Sequence, residues 1–289
     1  MIEHPYTELS GGRWLAGNLH AHTTASDGQR DHQAVIDDYA GRGHGFLMIS
    51  DHDILTDAED YADFDPHGMI LVPGNEITAN GPHMLHVGAS GLVEPDAERQ
   101  RVIDGVKENG GFVLFNHPNW QSRFSHCPQD VMDACTDYAG LEIYNGVISR
   151  LDGSPYATNR WDMLLSAGRR MWGFANDDSH AASGDVALGW NVAYVKDETP
   201  EGVVDALAKG RFYASTGVEI TRIEADDQRI VIETENASRI VALRDTGRRV
   251  ATIDGRTMEL EVPEDARYVR FECWGDGEAF AWTQPFFIV

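Results

Sequence analysis

Asn18-Leu19-His20-Ala21-His22-Thr23-Thr24-Ala25-Ser26-Asp27-Gly28 continues the apolar run Trp14–Leu19, and its reading decides the fold. Residues i and i+2 of an extended strand point to the same side, so His20 and His22 leave a strand end as a pair able to grip one ion. The Ser26-Asp27-Gly28 turn can bend Asp27 back to the same place. The arrangement recurs down the chain. His52 follows the run Gly45–Ser50, and Glu76 follows Met69–Gly74. His86 sits in Leu85–Gly88, and His117 ends Phe112–Asn116. Leu141–Tyr144 reads as a sixth strand, and Asp178 and His180 follow the seventh, Met171–Ala175.

Helical punctuation lies between several of these runs. Asp31 can cap a helix running to about Arg42, with Gly43 as its stop. Asp96 can cap one ending near Asn109. Ser154-Pro155 and Thr199-Pro200 each read as an N-cap followed by a first-turn proline, with stops at Gly168 and Gly210. Apolar strands alternating with helices predict an α/β fold with a mostly parallel sheet. In an α/β barrel all strand C-terminal ends converge on one mouth, so residues far apart in sequence become one cluster. From about residue 216 helix signals vanish. Glu219–Glu224, Arg229–Glu235, Arg239–Leu243, Thr257–Val262, Tyr268–Trp274 and Pro285–Val289 read as short strands between Asp, Gly and Asn turns. The expected organisation is a barrel over 1–215 and a small antiparallel β-domain over 216–289, packed beside the barrel.

The convergent set is His20, His22, Asp27, His52, Glu76, His86, His117, Asp178 and His180. Nitrogen and oxygen donors without thiolate suit zinc, manganese or iron. The set exceeds the needs of one ion and fits two or three divalent ions with positions left open. His83 competes with His86, and the apolar run into Val87-Gly88 favours His86. His4, His32, His44, His67 and His126 read as ordinary surface or core histidines.

Composition narrows the function classes. Of 289 residues 42% are hydrophobic and 24% charged, which suits a globular chain with a core rather than a disordered one. The net charge of −24 repels nucleic acid and anionic membrane, so a small-molecule partner is expected. No apolar run approaches the roughly 20 residues of a membrane helix. The first residues carry no signal-peptide pattern. Cys127, Cys135 and Cys273 form neither a CxxC pair nor a disulfide framework, so a reducing cytoplasm is the expected compartment. Three lysines against 20 arginines, with 47 acidic residues, predict adaptation to high salt.

Taken in order, His20-Ala21-His22 with Ser26-Asp27-Gly28, then Ser50–Asp53, Gly74–Glu76, His86–Gly88, Asn116–Pro118 and Asp177–His180 resemble the polymerase and histidinol phosphatase (PHP) superfamily. The resemblance covers about residues 14–215. It implies a distorted (β/α)7 TIM-like barrel, a site of two or three manganese, zinc or iron ions, and hydrolysis, mostly of phosphate esters. It implies that His20, His22, Glu76 and Asp178 hold one ion. Glu76 would bridge to a second with His86 and His117, and Asp27, His52 and His180 would hold a third. A metal-bound hydroxide is then the expected nucleophile. The segments Leu141–Asn145 and Trp161-Asp162, with the trailing β-domain, resemble a branch that includes carbaryl hydrolases.

Arg123, Asn145 and Arg150 follow strand ends five and six, where they could contact a phosphate. Glu142 reads as structural or as support for a ligand, and Asp51 or Asp53 as orienting His52. A carboxylic-ester or carbamate hydrolase is the alternative enzyme, its apolar pocket drawn from Trp120, Phe124 and Trp161. A non-catalytic metal-binding PHP module is the alternative without chemistry.

Overall fold

The computed structural model describes residues 1–7 and 9–289. The chain begins with β1 (Ile2–Glu3), β2 (Arg13–Asn18), α1 (His32–Ala40), β3 (Phe46–Leu47), α2 (Ala58–Tyr61), β4 (Ile70–Leu71), β5 (Gly74–Ile77) and β6 (Met84–Val87). It continues with α3 (Arg99–Glu108), β7 (Phe112–Phe115), α4 (Gln129–Ala134), β8 (Gly140–Asn145), α5 (Thr158–Ser166) and β9 (Trp172–Asn176). Next come β10 (Trp190–Val195), α6 (Pro200–Ala208) and β11 (Phe212–Ser215). Eight strands complete it: β12 (Ile220–Ala225), β13 (Arg229–Thr234), β14 (Arg239–Arg244), β15 (Arg248–Asp254), β16 (Thr257–Glu261), β17 (Tyr268–Trp274), β18 (Phe280–Thr283) and β19 (Phe286–Ile288).

The architecture is mixed α/β. β2, β3 and β4 pair in parallel, and β5-β6-β7-β8-β9 form a second sheet. Within that sheet β7, β8 and β9 are parallel, but β6 runs antiparallel to both β5 and β7. Two isolated parallel bridges, Ala21↔Ser179 and His52↔Glu76, join the strand ends of the two sheets. Leu15, Phe46, Met48, Val72, Leu85, Leu114 and Phe174 pack between the sheets. Each such fully buried large apolar side chain contributes about 1.5–3 kcal/mol. On the far side of the strands, Val102, Ile103 and Val106 of α3 pack against Met84, Val113 and Phe115.

Local chemistry explains several helix starts. Asp31 caps α1 by accepting from the Ala34 N–H at 2.9 Å. Thr199 caps α6, with Pro200 in its first turn. Asp96 does not cap α3; it accepts from the Glu98 N–H in the preceding turn. The Ser154-Pro155 signal also fails, because this segment pairs with β8 first: the Asn145 N–H donates to Pro155 O and the Ala157 N–H to Ile143 O. Helix α5 therefore starts only at Thr158.

The strands after residue 216 are antiparallel, with β15 and β18 added to those expected. So are β10 and β11, which join β2 to β18 in one continuous hydrogen-bonded sheet. A buried ion pair fastens this β-region to α5: Arg270 donates from Nε and Nη2 to Asp162 at 2.8 and 2.7 Å, and Tyr268 adds its hydroxyl.

Candidate metal centre

The strand ends deliver their side chains to one point because the turns after them are pinned. Asp51 accepts from the Thr23 N–H, the Thr23 hydroxyl and the Ser26 hydroxyl, holding the turn that follows β2. Gly28 is required here, since a Cβ would lie 2.4 Å from His22 O. Asp27 Oδ1 thereby comes within 3.4 Å of His52 Nε2, 3.3 Å of His180 Nε2 and 3.9 Å of His22 Nδ1. Asp53 accepts from Thr78 and Ala79. Neither flanking aspartate orients His52, contrary to expectation; the His52 imidazole rests instead against Glu76, Nδ1 to Oε2 at 2.8 Å.

Glu76, wholly buried, is the hub. Its Oε1 lies 3.3 Å from His20 Nε2, 3.2 Å from His83 Nδ1 and 3.3 Å from His117 Nε2, and accepts from Asn116 Nδ2 at 2.6 Å. Its Oε2 faces His52 and, at 3.6 Å, His22. One carboxylate thus looks two ways. Asp178 Oδ1 lies 3.2 Å from His20 Nε2 and 3.1 Å from His22 Nε2.

His86 is not brought to this cluster, and His83 stands in its place. The cause is strand direction. Because β6 is antiparallel to its neighbours, its N-terminal end lies beside the C-terminal ends of β5 and β7. His83 immediately precedes β6 at that end. His86 sits deeper in the ladder opposite Asn75 and Val113, with its Nε2 against Gly110 O at 2.9 Å. His126, expected from the sequence to be an ordinary surface or core histidine, also reaches the site. Its Nε2 accepts from the His83 N–H at 3.0 Å, and its ring sits 4.6 Å from that of His117. Burial, then His117 and His83, push its pKa down to about 2, so it is neutral. With Nε2 accepting, its proton is on Nδ1, and His126 holds His83 in place.

Glu142 supports the cluster from below. Its Oε1 faces His20 Nδ1 at 2.7 Å and accepts from Asn176 Nδ2. Its Oε2 accepts from the His117 N–H and Asn145 Nδ2. A proton on His20 Nδ1 is thus held by Glu142, which turns Nε2 toward Glu76 and Asp178. His180 is fixed similarly, with Nδ1 2.7 Å from Asp178 O. His117 (φ 27°) and Asp178 (φ 57°) both adopt left-handed backbone, a strain of about 1–3 kcal/mol each that surrounding bonds must hold.

The electrostatics follow from burial and crowding. Burial opposes charge on His20, yet Asp178, Glu142 and Glu76 raise its pKa well above the ordinary value. Burial likewise opposes ionisation of Glu76, but His20, His117 and His52 hold its carboxyl well below the usual range. His52 is pushed up to about 8: burial opposes, while Glu76 and Asp27 prevail. Burial lowers the pKa of His22.

Among the described residues, His20 Nε2, both nitrogens of His22, His52 Nδ1, His83 Nδ1 and Glu76 Oε2 are buried without a hydrogen-bond partner. These atoms crowd together at 2.8–3.6 Å without hydrogen-bond geometry. Lone pairs aimed at shared points are what a divalent cation satisfies, and the donor set is wholly nitrogen and oxygen. Cys127 and Cys135 are buried in the outer core. The residues present therefore fit divalent metal ions.

The cluster floors a cavity of about 320 Å³ walled by Trp120, Val147, Ile148 and Leu151. None of the three expected substrate contacts lines it. Arg123 is exposed on the surface. Arg150 turns away to Asp185, Nη2 to Oδ2 at 3.4 Å. Asn145 is buried beneath the site and donates to Glu142 and Asp178. Of the expected aromatic wall only Trp120 is present. Phe124 is half exposed outside the cavity, and Trp161 is core, donating to Met171 O.

No protein-family model and no curated protein matches the sequence. Solved structures do. A two-domain protein from Bacteroides vulgatus, containing a predicted PHP-like metal-dependent phosphoesterase, superposes with a TM-score of 0.57 at 18% identity, over 99% of this chain and 89% of its own. A provisionally assigned metal-dependent phosphoesterase from Bifidobacterium adolescentis gives 0.45 at 16% identity, over 67% of this chain and 96% of its own. An amidohydrolase from Chromobacterium violaceum with bound sulfate and no metal gives 0.41 at 15% identity, over 59% and 89%. The first likeness spans both the strand-end cluster and the trailing β-region, and in fold this chain is PHP-like.

Proposed function

We propose that this chain is a metal-dependent hydrolase of phosphate esters of small molecules. The observation that carries the reading is the convergence of Asp27, Glu76, Asp178 and six histidines, with buried nitrogens and oxygens that lack hydrogen-bond partners, on the floor of one cavity. The strands β2-β3-β4 and β5-β6-β7-β8-β9, with β4 and β5 counted as one interrupted strand and with bridges between the sheet ends, are read as a distorted seven-stranded barrel whose mouth is this cavity. The strands after residue 216 are read as its companion domain.

Two or three divalent ions, of manganese, zinc or iron, are proposed. His20, His22, Glu76 and Asp178 would hold one, Glu76, His83 and His117 a second, and Asp27, His52 and His180 a third. Bound there, such ions supply Lewis acidity, acidifying water and stabilising charge on a phosphoryl or carbonyl oxygen. The chain's own contribution is orientation. Glu142 holds the His20 Nδ1 proton and Asp178 O that of His180, so in each ring Nε2 is the nitrogen turned toward the proposed ions. Trp120, Val147, Ile148 and Leu151 exclude bulk water from one side. Hydrolysis of a carboxylic ester or carbamate is the second reading, favoured by this apolar wall and by the absence of Arg123 and Arg150 from it.

The test is metal-stripped protein reloaded with manganese, zinc or iron(II) and assayed on an aryl phosphate and an aryl ester. Turnover of the phosphate that returns with metal supports the leading reading, and turnover of the ester alone supports the second. No metal uptake and no turnover rejects both. Metal analysis of Asp27→Ala addresses ion number: retention of two equivalents, with turnover reduced roughly a hundredfold, fits a third ion at Asp27.

A further inference from the structure

The cavity above the cluster has an uneven chemical lining. Its floor is ionic and its outer wall is apolar. The short 3-10 turn Val147–Arg150 sets this up: Val147 and Ile148 face the cavity, Leu151 extends the wall, and Arg150 is drawn to Asp185. Trp120 forms the opposite wall, its ring 5.2 Å from that of His117 and 4.9 Å from that of His126. Arg123 is exposed outside the cavity, and two other neighbouring arginines are already engaged. Arg160 donates to Asn119 Oδ1 and Phe124 O, and Arg30 to Asp38 and Ser179. Among the described residues no lysine or arginine lines the cavity.

We infer that the substrate's leaving group is apolar and carries no charge of its own, in the manner of an aryl or branched alkyl alcohol. This rests on the hydrolase reading above and adds the side of the bond that the metal ligands do not touch. One anionic centre can be neutralised at the floor. A second anion, such as the further phosphate of a nucleotide or a carboxylate on the alcohol, would lie against Trp120, Ile148 and Leu151 with no cation to meet it. It would also meet the field of a chain at −24. Burying a charge without a partner costs far more than the apolar contact returns.

Titration calorimetry of the manganese-loaded protein with non-hydrolysable arylphosphonates tests this directly. Phenylphosphonate, its para-ethyl derivative and its para-carboxy derivative differ only at the end that meets the wall. The para-ethyl ligand should bind about tenfold or more tightly than the para-carboxy one. Leu151→Lys should narrow or reverse that ratio, and since Leu151 is half exposed the substitution is compatible with folding. Arg150→Ala should leave the ratio unchanged. Equal or tighter binding of the para-carboxy ligand by the wild type, no binding of any of the three, or a ratio unmoved by Leu151→Lys overturns the inference. Failure of the hydrolase reading is registered separately, as absence of metal-dependent turnover of both ester classes.

Discussion

Glu142→Gln separates support of the cluster from mere burial beneath it. Glu142 accepts four hydrogen bonds, two on each oxygen: His20 Nδ1 and Asn176 on Oε1, the His117 N–H and Asn145 on Oε2. Glutamine has the same shape but one oxygen. Whichever way its amide turns, two buried donors then face an NH2 group. At about 1–3 kcal/mol per orphaned donor the variant loses about 2–6 kcal/mol. For a chain of this size that is a fall in melting temperature of about 3–10 °C. His20 also loses the carboxylate that holds its tautomer, so affinity for manganese or zinc should drop about 10–100-fold. Thermal melts of metal-free protein read the first effect, and metal titration well below the melting temperature reads the second. A role confined to packing would lower the melting temperature alone. Unchanged metal affinity in a variant that folds and melts cooperatively would refute the support argument.

Because β6 runs antiparallel to its neighbours, His83→Ala should lower both metal content and turnover. His86→Ala should keep its full metal complement and only lower the melting temperature; inductively coupled plasma analysis of both proteins decides between them. Protonated His52 stabilises the metal-free fold fully below its ordinary value of 6.5, and that contribution is lost as pH rises through about 8. The melting temperature of stripped protein should therefore fall across this range, and saturating metal should abolish the His52 step. Self-repulsion at −24 predicts a melting temperature that rises from low salt to molar potassium chloride; a flat or falling curve leaves genome composition as the source of the acidic surface.

The parts of the site legible in the sequence were those where local spacing and strand ends coincide. His20, His22, Asp27, His52, Glu76, His117, Asp178 and His180 all follow apolar runs that became strands or their extensions, and the structure brings them together. His83 was lost because strand direction is a tertiary fact. The run Met84–Val87 reads the same in either direction, and only its pairing with β5 and β7 reveals which end faces the cavity. His126 has no spacing signal at all, since it arrives on a loop that returns under Trp120. Arg150 differs from the expectation for a similar reason: the tight turn that carries it puts Val147, Ile148 and Leu151 on the cavity side and leaves Arg150 to Asp185. Strand β15 is mostly exposed and polar, so no apolar run marked it. Strands β10 and β11 carry no candidate ligand and follow the last of the ligand-bearing strand ends.

The pairing of β2 with β10 has a consequence for biosynthesis. Ala16 lies opposite Val192, and Asp178 and His180 are made long after His20 and His22 leave the ribosome. At about 5–20 residues per second, the first histidines wait roughly ten to thirty seconds for their later partners. During that interval β2 has an open edge, and the nascent cluster lacks Asp178 and His180. The complete cluster can therefore form only after His180 has been made, with the trailing β-region still to come. Until then the charge of Glu76 is met only by histidines from the first half of the chain, His20, His52 and His117 among them.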